Sequence, residues 1–439
     1  LTNVNQAKDE LNGNENLAQA KQEATTQLGT LQDLNQPQHD ALAEQIDQAQ
    51  SIDAVNQIKQ TAQEVNNAMN QLKQSIANKD EVLGSENYHD ADADKQIAYT
   101  NAVNQAEAII NQSSNPTLNA SDIENTMNQV NNTHNELNGD TKLATEKQNG
   151  NTEINAMSHL NDAQKQALTT QIEQAPDIAT VNQVKQTAQN LDQAMNQLAQ
   201  SINDNAQTLT NGNYLNADQQ NQEAYNQAVA NAENVLNQHA GTNELQDAVE
   251  RLTNTVNNAK QALNGNTNLA QAQQEATQFV NQLQHLNDAQ KQNYNTQINQ
   301  APLVTDVSTI KQNAQALDQA MEQLRNSIAD NQDTLASEDY HDATNERQND
   351  YNNAVNAANN IINEATSPIM NPNDINSATS QVNTTKVALD GDENLANTKQ
   401  QATETIRQLS HLNQAQVQAL EAQITQSSDI CLLYTSDAA

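Results

Sequence analysis

The sequence predicts an all-α protein in which tandem three-helix bundles, two in each 126-residue repeat, stack into an elongated rod. The first observation behind this prediction is the repeat itself. The tripeptide Leu-Asn-Gly recurs every 126 residues and returns once as Leu-Asp-Gly, ending at Gly13, Gly139, Gly265 and Gly391. The second observation is that apolar residues in each repeat keep the three- and four-residue spacing of helices. Tandem helical repeats are typical of proteins built for reach or multivalent binding rather than catalysis.

Composition narrows the function further. The 439 residues carry a formal net charge of −36, which argues against nucleic acid and anionic membranes as partners, because both need a positive surface. Hydrophobic residues make up only 35% of the chain, so the cores must be thin, as in small helical bundles. Cys431 is the single cysteine and excludes an internal disulfide. Chains rich in Asn and Gln can be disordered, but the strict apolar spacing favours a folded protein.

The first half of each repeat predicts three helices. The first has an apolar stripe at Leu17, Ala24, Leu28, Leu31 and Leu34. The second begins with a capping box, in which an Asn caps the first turn and a Gln three residues later reaches back. These pairs are Asn35/Gln38, Asn161/Gln164, Asn287/Gln290 and Asn413/Gln416. The third has an unbroken stripe over about 33 Å, which should span the junction between the two halves. In the first repeat this stripe is Val55, Ile58, Ala62, Val65, Met69, Leu72 and Ile76.

The second half of each repeat opens with an Asp-rich stretch and predicts two further long helices. One helix carries Tyr99 on its apolar stripe, which indicates a core tyrosine. The last helix is expected to begin at Ser121 with Glu124 as its capping-box partner. The Gly of Leu-Asn-Gly is expected to end that helix as a left-handed C-cap, as at Gly139. Since the next helix starts a few residues later, the linker is short and favours a stiff rod.

These signals divide the chain into repeats and halves. Residues 1–13 end a preceding repeat, and residues 431–439 do not follow the repeat and are expected to be a disordered, artefactual tail. The complete repeats, each with its two halves, are 14–139 (14–77 and 78–139), 140–265 (140–203 and 204–265) and 266–391 (266–329 and 330–391). Residues 392–430 form a truncated fourth repeat. We expect a fragment without its own secretion signal or anchor.

Short motifs relate the two halves to known families. The turn from Leu160 to Gln164 and the helix from Val55 to Lys59 are features by which the first half resembles the GA module of bacterial albumin-binding surface proteins. The helix from Ala98 to Val103 and the loop from Asn115 to Thr117 are features by which the second half resembles the FIVAR module of cell-wall adhesins. Their alternation is similar to that in giant staphylococcal surface proteins. This resemblance implies a three-helix fold, a location on the bacterial cell wall, and a rod that binds host fibronectin. Albumin binding is not mapped onto particular residues.

Few residues suggest specific chemistry. The carboxylates between Tyr88 and Asp94 alternate as in some calcium sites, but they lack the Gly and terminal Glu of an EF-hand loop, so a solvated turn is favoured. His159 and its copies have no partner Cys or His and are expected at helix ends. The recurring Lys59, Lys185 and Lys311 are expected to pair with acidic neighbours. Tyr88, Tyr214 and Tyr340 are the candidate ligand contacts, since Tyr is favoured at interfaces.

The leading hypothesis is therefore a monomeric, extracellular adhesive rod that binds fibronectin through many weak sites. The alternatives are a mechanical spacer or cell-envelope scaffold that binds nothing specifically, and an array that binds serum albumin. No Gly-rich phosphate loop, nucleophilic triad or Cys/His pair is visible in the sequence. The sequence thus predicts no enzymatic activity, no cofactor and no catalytic or metal site.

Overall fold

The computed structural model describes residues 1–435, and every regular element in that range is a helix. The predicted all-α fold is confirmed. The described chain divides into two compact units. One contains Leu1–Ser201 and Ala230–Asn254, and the other contains Ile202–Val229 and the described chain from Thr255 onward. None of the described helices is both long enough and apolar enough to cross a membrane. The stacking of the bundles into a rod stays a prediction.

The same order of helices recurs in each complete repeat. After α1 (Thr2–Asp9), the helices of the first repeat are α2 (Gly13–Leu28), α3 (Gln36–Gln48), α4 (Ile52–Ser75), α5 (Lys79–Leu83), α6 (Glu86–His89), α7 (Ala93–Ile110) and α8 (Ala120–Asn135). Those of the second are α9 (Gly139–Ala156), α10 (Asp162–Gln174), α11 (Ile178–Ile202), α12 (Asn205–Thr210), α13 (Gly212–Leu215), α14 (Gln219–Leu236) and α15 (Gln246–Gln261). The Asp-rich stretch after the long third helix is thus two short helices.

The third and fourth repeats continue this order. The third contains α16 (Gly265–Gln282), α17 (Asp288–Gln300), α18 (Val304–Ile328), α19 (Asn331–Ala336), α20 (Glu338–His341), α21 (Asn345–Ile362) and α22 (Pro372–Val387). The described part of the fourth contains α23 (Gly391–Gln408), α24 (Gln414–Gln426) and α25 (Ile430–Thr435).

The long third helices of the first and third repeats each pack against helices of both halves of their repeat. In the first repeat, α4 packs against α2 and α3 and also against α7 and α8. Its N-terminal part contributes Val55 and Ala62 to the first core, where they meet Leu28, Leu42 and Ile46. Its C-terminal part contributes Val65, Ala68, Met69 and Leu72 to the second core, around Tyr99, Val103, Ile123 and Val130. The two three-helix bundles of the first repeat therefore share one helix, as the length of its apolar stripe predicted.

The predicted capping boxes are confirmed at the second helix of all four repeats. The Asn side chain accepts from the Gln backbone amide and the Gln side chain accepts from the Asn amide in α3, α10, α17 and α24. The capping box predicted at Ser121 is wrong. Asn119 already has the extended backbone of an N-cap and accepts from the Ser121 amide, so α8 begins at Ala120. Asn371 has the same role for α22.

The C-terminal tail differs from the prediction in part. Residues 431–435 were expected to be disordered but lie in α25, which starts where α4, α11 and α18 start in their repeats. Two carboxylates explain this start, because the Ile430 amide donates to Asp342 Oδ2 (2.8 Å) and the Leu432 amide donates to Asp429 Oδ1 (2.6 Å). Residues 436–439 lie outside the described chain.

Candidate functional site at the joints between modules

The capping boxes also join the two halves of a repeat. In the first repeat, Asn35 Nδ2 donates to the carbonyl of Ile109 at 3.0 Å, and Gln38 Nε2 donates to the carbonyl of Thr117 at 2.9 Å. Both acceptors lie at the end of α7 and in the loop after it. Gln38 is fully buried. The same pair of residues therefore caps one helix and satisfies carbonyls of the other half.

Copies of this contact occur in the later repeats. Gln164 Nε2 donates to the Glu244 carbonyl at 3.0 Å, and Gln290 Nε2 donates to the Ile369 carbonyl at 2.9 Å. In the fourth repeat, Asn413 and Gln416 keep the cap but are exposed. Sequence reasoning found the cap and missed the second contact. One signal in the sequence pointed to that second contact: the third residue of the cap is always Gln, although Glu would serve equally well for helix capping alone.

A second joint connects each repeat to the next, and it corrects the role predicted for glycine. Gly139 does not end α8 as a left-handed cap; it is the first residue of α9, and none of the described glycines has a positive φ. A Cβ at Gly139 would lie 2.4 Å from the carbonyl oxygen of Asn87, and one at Gly265 would lie 2.4 Å from that of Asn213. The glycine is needed for close approach between helices and not for a left-handed backbone.

The residue that approaches the glycine also caps the next repeat. Asn87 Oδ1 accepts from the backbone amide of Asp140 at 3.0 Å, in the first turn of α9. The same bond recurs in the later joints, as Asn213 Oδ1 with Asn266 N (3.0 Å) and Asp339 Oδ1 with Asp392 N (3.2 Å). Such acceptors satisfy amides that have no partner within their own helix. The short helix α6 and its copies therefore act as N-terminal caps for the repeat that follows.

A further cap reaches the third helix of the following repeat. Asp90 Oδ2 accepts from the backbone amide of Ile178, the first residue of α11, at 3.0 Å. Asn216 Oδ1 accepts from Val304 at 2.8 Å, at the start of α18. A carboxylate in this place also interacts favourably with the positive end of the helix dipole. Asn87 in the short helix and Asp90 just after it thus cap two helices of the next repeat, α9 and α11.

The last part of this joint is a pair of side chains. The Asp92 amide donates to Asn138 Oδ1 at 3.0 Å, and Asn138 Nδ2 donates to Asp92 Oδ2 at 2.8 Å. Lys142 Nζ lies 2.9 Å from Asp92 Oδ1. Hydrogen bonds from Lys142 and then Asn138 lower the pKa of the Asp92 carboxyl. Asp90 and Asp92, two of the carboxylates considered for calcium, are used in joint contacts. No cluster of three His, Cys, Asp or Glu suited to a metal occurs within residues 1–435.

The candidate contact tyrosines lie at the edge of the second core. Tyr88 is half-buried, its ring meets that of Tyr99 edge-to-face at 6.3 Å, and its hydroxyl lies 2.9 Å from Thr100 Oγ1. Tyr214 and Tyr340 are also half-buried, with their hydroxyls bonded to Asn side chains. Tyr99 and its copies Tyr225 and Tyr351 are fully buried, so the core assignment is confirmed.

The recurring histidines have acidic partners. His159 Nδ1 lies 2.9 Å from Asp192 Oδ2, and His285 Nδ1 lies 3.1 Å from Asp318 Oδ2. In each case the carboxylate also accepts from the histidine backbone amide, at 3.0 and 2.8 Å. Both histidines lie between the first and second helices of their repeat, as expected for a helix-end position.

The recurring lysines behave differently in two repeats. Lys185 Nζ pairs with Glu146 at 2.9 Å and Glu153 at 3.2 Å, as predicted. Hydrogen bonding to Glu146 raises the pKa of Lys185, and hydrogen bonding from Lys185 lowers the pKa of Glu146. Lys311 instead lies over the ring of Phe279, 4.7 Å from its centroid. Since Phe279 occupies the position of Glu153, a cation–π contact replaces an ion pair.

The family models alternate along the chain as the repeats do. The GA module matches residues 14–68, 140–194, 266–320 and 392–435, and the FIVAR domain matches residues 68–138, 194–264 and 320–390. The chain belongs to the GA and FIVAR repeat family. The two family models meet at residue 68, within the shared helix α4. The division of each repeat after residues 77, 203 and 329 stays a prediction.

Curated relatives extend the similarity over nearly the whole chain. The extracellular matrix-binding protein ebh of Staphylococcus aureus strain MW2 is 68% identical over 430 residues, which cover 98% of this chain and 4% of that protein. The chain therefore spans a small part of this relative. The ebh protein of strain MRSA252 is 52% identical over 556 residues, again covering 98% of this chain. That alignment is longer by 126 residues, the length of one repeat.

A solved structure supports the fold. The crystal structure of the EbhA 756–1003 domain from Staphylococcus aureus is 38% identical and has a TM-score of 0.53. The match covers 56% of this chain and 98% of that domain. The two curated relatives are thus named for binding the extracellular matrix.

Proposed function

We propose that these GA and FIVAR repeats are a segment of a bacterial cell-wall adhesin that binds host fibronectin in the extracellular matrix and extends as a stiff rod. The observation that carries the proposal is the 68% identity, over 98% of the chain, to an extracellular matrix-binding protein. The proposal gives the chain no enzymatic role.

The stiffness is supported by the two kinds of joint. Within the first repeat, the two bundles share one helix, and the side-chain amides of the capping box donate to carbonyls of the other half. Between repeats, α8 ends at Asn135 and α9 begins at Gly139, so only three residues separate them. The last of these residues, Asn138, accepts a hydrogen bond from the Asp92 amide. Short, bonded linkers leave few backbone torsions free to bend.

Charge supports a particular mode of binding. A segment with a formal net charge of −36 creates a negative field that attracts basic surfaces of a partner. We therefore expect weak binding at each repeat that adds up along the chain, because linked sites raise the effective concentration without new contacts. The partner surface is expected to be basic, and the association rate is expected to fall with added salt.

The test is direct binding of the whole chain to immobilised fibronectin and, in parallel, to serum albumin. We expect saturable binding to fibronectin that dissociates faster when the immobilised density is lowered and multivalent engagement is lost. Binding to albumin alone would support the albumin array instead. A folded, helical chain that binds neither protein would leave the mechanical spacer.

We further propose Tyr88, Tyr214 and Tyr340 as ligand contacts, since each is half-buried at the edge of a core. Replacing all three with Phe keeps the ring that packs on the core and removes only the hydroxyl group. We expect binding to fibronectin to weaken several-fold for each hydroxyl that contacts the partner, with an unchanged circular dichroism spectrum, because one lost hydrogen bond costs about 0.5–1.5 kcal/mol. The matched control is Tyr225→Phe, since that side chain is fully buried. Equal binding by the triple variant and the control would remove these tyrosines from the interface.

A further inference from the structure

The joints between repeats place an Asn-Gly dipeptide where both residues are constrained. Gly139 has no side chain because the Asn87 carbonyl would lie 2.4 Å from its Cβ. Asn138 supplies an acceptor and a donor to Asp92. The next joint repeats this as Asn264-Gly265, with Asn264 bonded to Asp218 at 3.0 and 2.8 Å. Packing therefore imposes the glycine, and Asn-Gly is the dipeptide in which a backbone nitrogen attacks the Asn side chain most readily, because Gly offers no steric hindrance.

We propose that Asn138 and Asn264 are sites of spontaneous deamidation, and that their conversion to aspartate loosens the joints they hold. The nitrogen of Gly139 attacks Cγ of the Asn138 carboxamide, loses its proton and expels ammonia, which leaves a cyclic succinimide. Water then adds to either carbonyl of the ring and opens it to aspartate or isoaspartate. The net change is one water consumed, one ammonia released and one negative charge gained at each site.

The joint itself controls the rate of this step. Gly139 is the first residue of α9, so its N–H has no acceptor within the helix and is not protected there. Both polar atoms of the Asn138 side chain are held by Asp92, however, and must be released before Cγ can meet the nitrogen. Deamidation therefore requires transient opening of the joint, which is a local and infrequent event in a folded protein.

Residues 12 and 13, at the end of the preceding repeat, are an unprotected copy of the same dipeptide. Asn12-Gly13 is exposed, and a Cβ at Gly13 would have no atom within 4 Å. The Asn12 side chain accepts from Asn16 Nδ2, within its own helix turn, at 3.2 Å. Asn12 is thus an internal reference for deamidation without a joint.

The third joint already has an aspartate in place of the asparagine, and its contacts show which partner an aspartate requires there. Asp390 stands where Asn138 and Asn264 stand, and its partner is Thr344 in place of an aspartate. Thr344 donates to Asp390 from its backbone amide at 2.7 Å and from its hydroxyl at 3.2 Å. An aspartate in the other joints would face a second carboxylate, lose the amide donor and repel its partner.

The joints that contain Asn138 and Asn264 differ in their neighbouring charges. Lys142 lies 2.9 Å from Asp92 and would neutralise part of the repulsion in the first joint. The second joint has Asn268 in that position, which donates to the Asn216 carbonyl and to Asp218 at 3.0 Å each. Conversion of Asn264 is therefore expected to weaken its joint more than conversion of Asn138.

The first test is ageing of the intact chain at pH 8 and 37 °C, followed by peptide mapping with mass spectrometry. We expect Asn12 to convert first and Asn138 and Asn264 to follow more slowly, each gaining the mass of one deamidation as a mixture of aspartate and isoaspartate. Asn138 and Asn264 remaining unmodified after Asn12 has converted completely would overturn the assignment of these sites.

The second test measures the joint in full-length variants by amide hydrogen exchange at Asn266, whose N–H the joint holds. We expect exchange of the order of ten-fold faster in Asn264→Asp, a smaller increase at Asp140 in Asn138→Asp, and no change at either amide in Asn12→Asp. The double variant N264D/D218T recreates the Asp390–Thr344 pair and should restore slow exchange relative to N264D. Exchange at Asn266 as slow in N264D as in the wild type would overturn the proposed effect on the joint. So would exchange in the double variant that is no slower than in N264D and in D218T alone.

Discussion

Replacement of Gly139 by Ala tests whether close approach, and not backbone conformation, selects glycine at the joint. A Cβ at residue 139 would lie 2.4 Å from the Asn87 oxygen and 2.7 Å from its carbonyl carbon, so α9 must move away from α6. Gly13→Ala is the matched control, because the same position of the first repeat has open space around it. Both substitutions place Ala at the start of a helix.

The size of the effect follows from three contributions. Overpacking against a backbone that cannot give way costs about 1–3 kcal/mol. The shift also weakens the 3.0 Å hydrogen bond between the Asp140 amide and Asn87, which is worth about 0.5–1.5 kcal/mol. The higher helix propensity of Ala offsets this by up to about 1 kcal/mol. The net cost is about 2 kcal/mol of joint stability, which corresponds to a roughly thirty-fold change in the opening equilibrium.

Hydrogen exchange is the appropriate assay, because unfolding of a multidomain chain is not a single two-state transition. We expect the amides of Asp140 and Ile178 to exchange roughly thirty-fold faster in the Gly139→Ala chain, while core amides of α4 keep their rates. In the Gly13→Ala chain, neither joint amide should change. Wild-type exchange at Asp140 in the Gly139→Ala chain would refute the close-approach explanation of this glycine.

Three further perturbations follow from the contacts described. Replacing the buried Gln290 with Ala should destabilise the third repeat by about 1–3 kcal/mol, because the Ile369 carbonyl loses its donor. Ala at the exposed Gln416 should cost about 1 kcal/mol or less, and amide hydrogen exchange in α17 and α24 would show the difference. The buried hydroxyl of Tyr351 has no hydrogen-bond partner within the described chain, so Phe there should leave the urea midpoint unchanged or raise it; a clear loss would reveal a hidden partner. Hydrogen bonds from the backbone amides of the following loop lower the pKa of Glu364 from 4.5 to about 2. Its contribution to loop order should therefore be fully present above pH 4.5 and be lost only as the pH falls through about 2, which an NMR titration of its side-chain carbon would show.

Much of the fold could be predicted from local patterns. The apolar stripe of the third helix identified Val65, Met69 and Leu72 as core residues, and its length indicated a helix that spans both halves. The capping boxes were also predictable, since a cap depends on residues three apart in the sequence. Such features are encoded within one helix, where periodicity and propensity act directly.

The joints could not be predicted in the same way, because their contacts cross between distant segments. Asn87 and Asp140 are 53 residues apart, and Asp90 and Ile178 are 88 apart. In the sequence, Gly139 follows a helix and thus looks like a C-cap. The position requires glycine because the Asn87 carbonyl oxygen of α6 leaves no room for a side chain. Likewise, the sequence favoured a solvated turn for the carboxylates near Asp90, whereas Asp90 accepts from the backbone amide of Ile178 and Asp92 contacts Asn138 and Lys142.

The chemistry of the joint also has a consequence for how the gene can change its length. The acceptors that reach across it, such as Asn87 and Asp90, come from one repeat, and they meet backbone amides of the next. Every repeat presents backbone amides at these points, so these hydrogen bonds do not depend on the side chains of the copy that follows. Unequal recombination can therefore add or delete whole 126-residue copies and keep these bonds, whereas a break inside the shared helix would divide two cores.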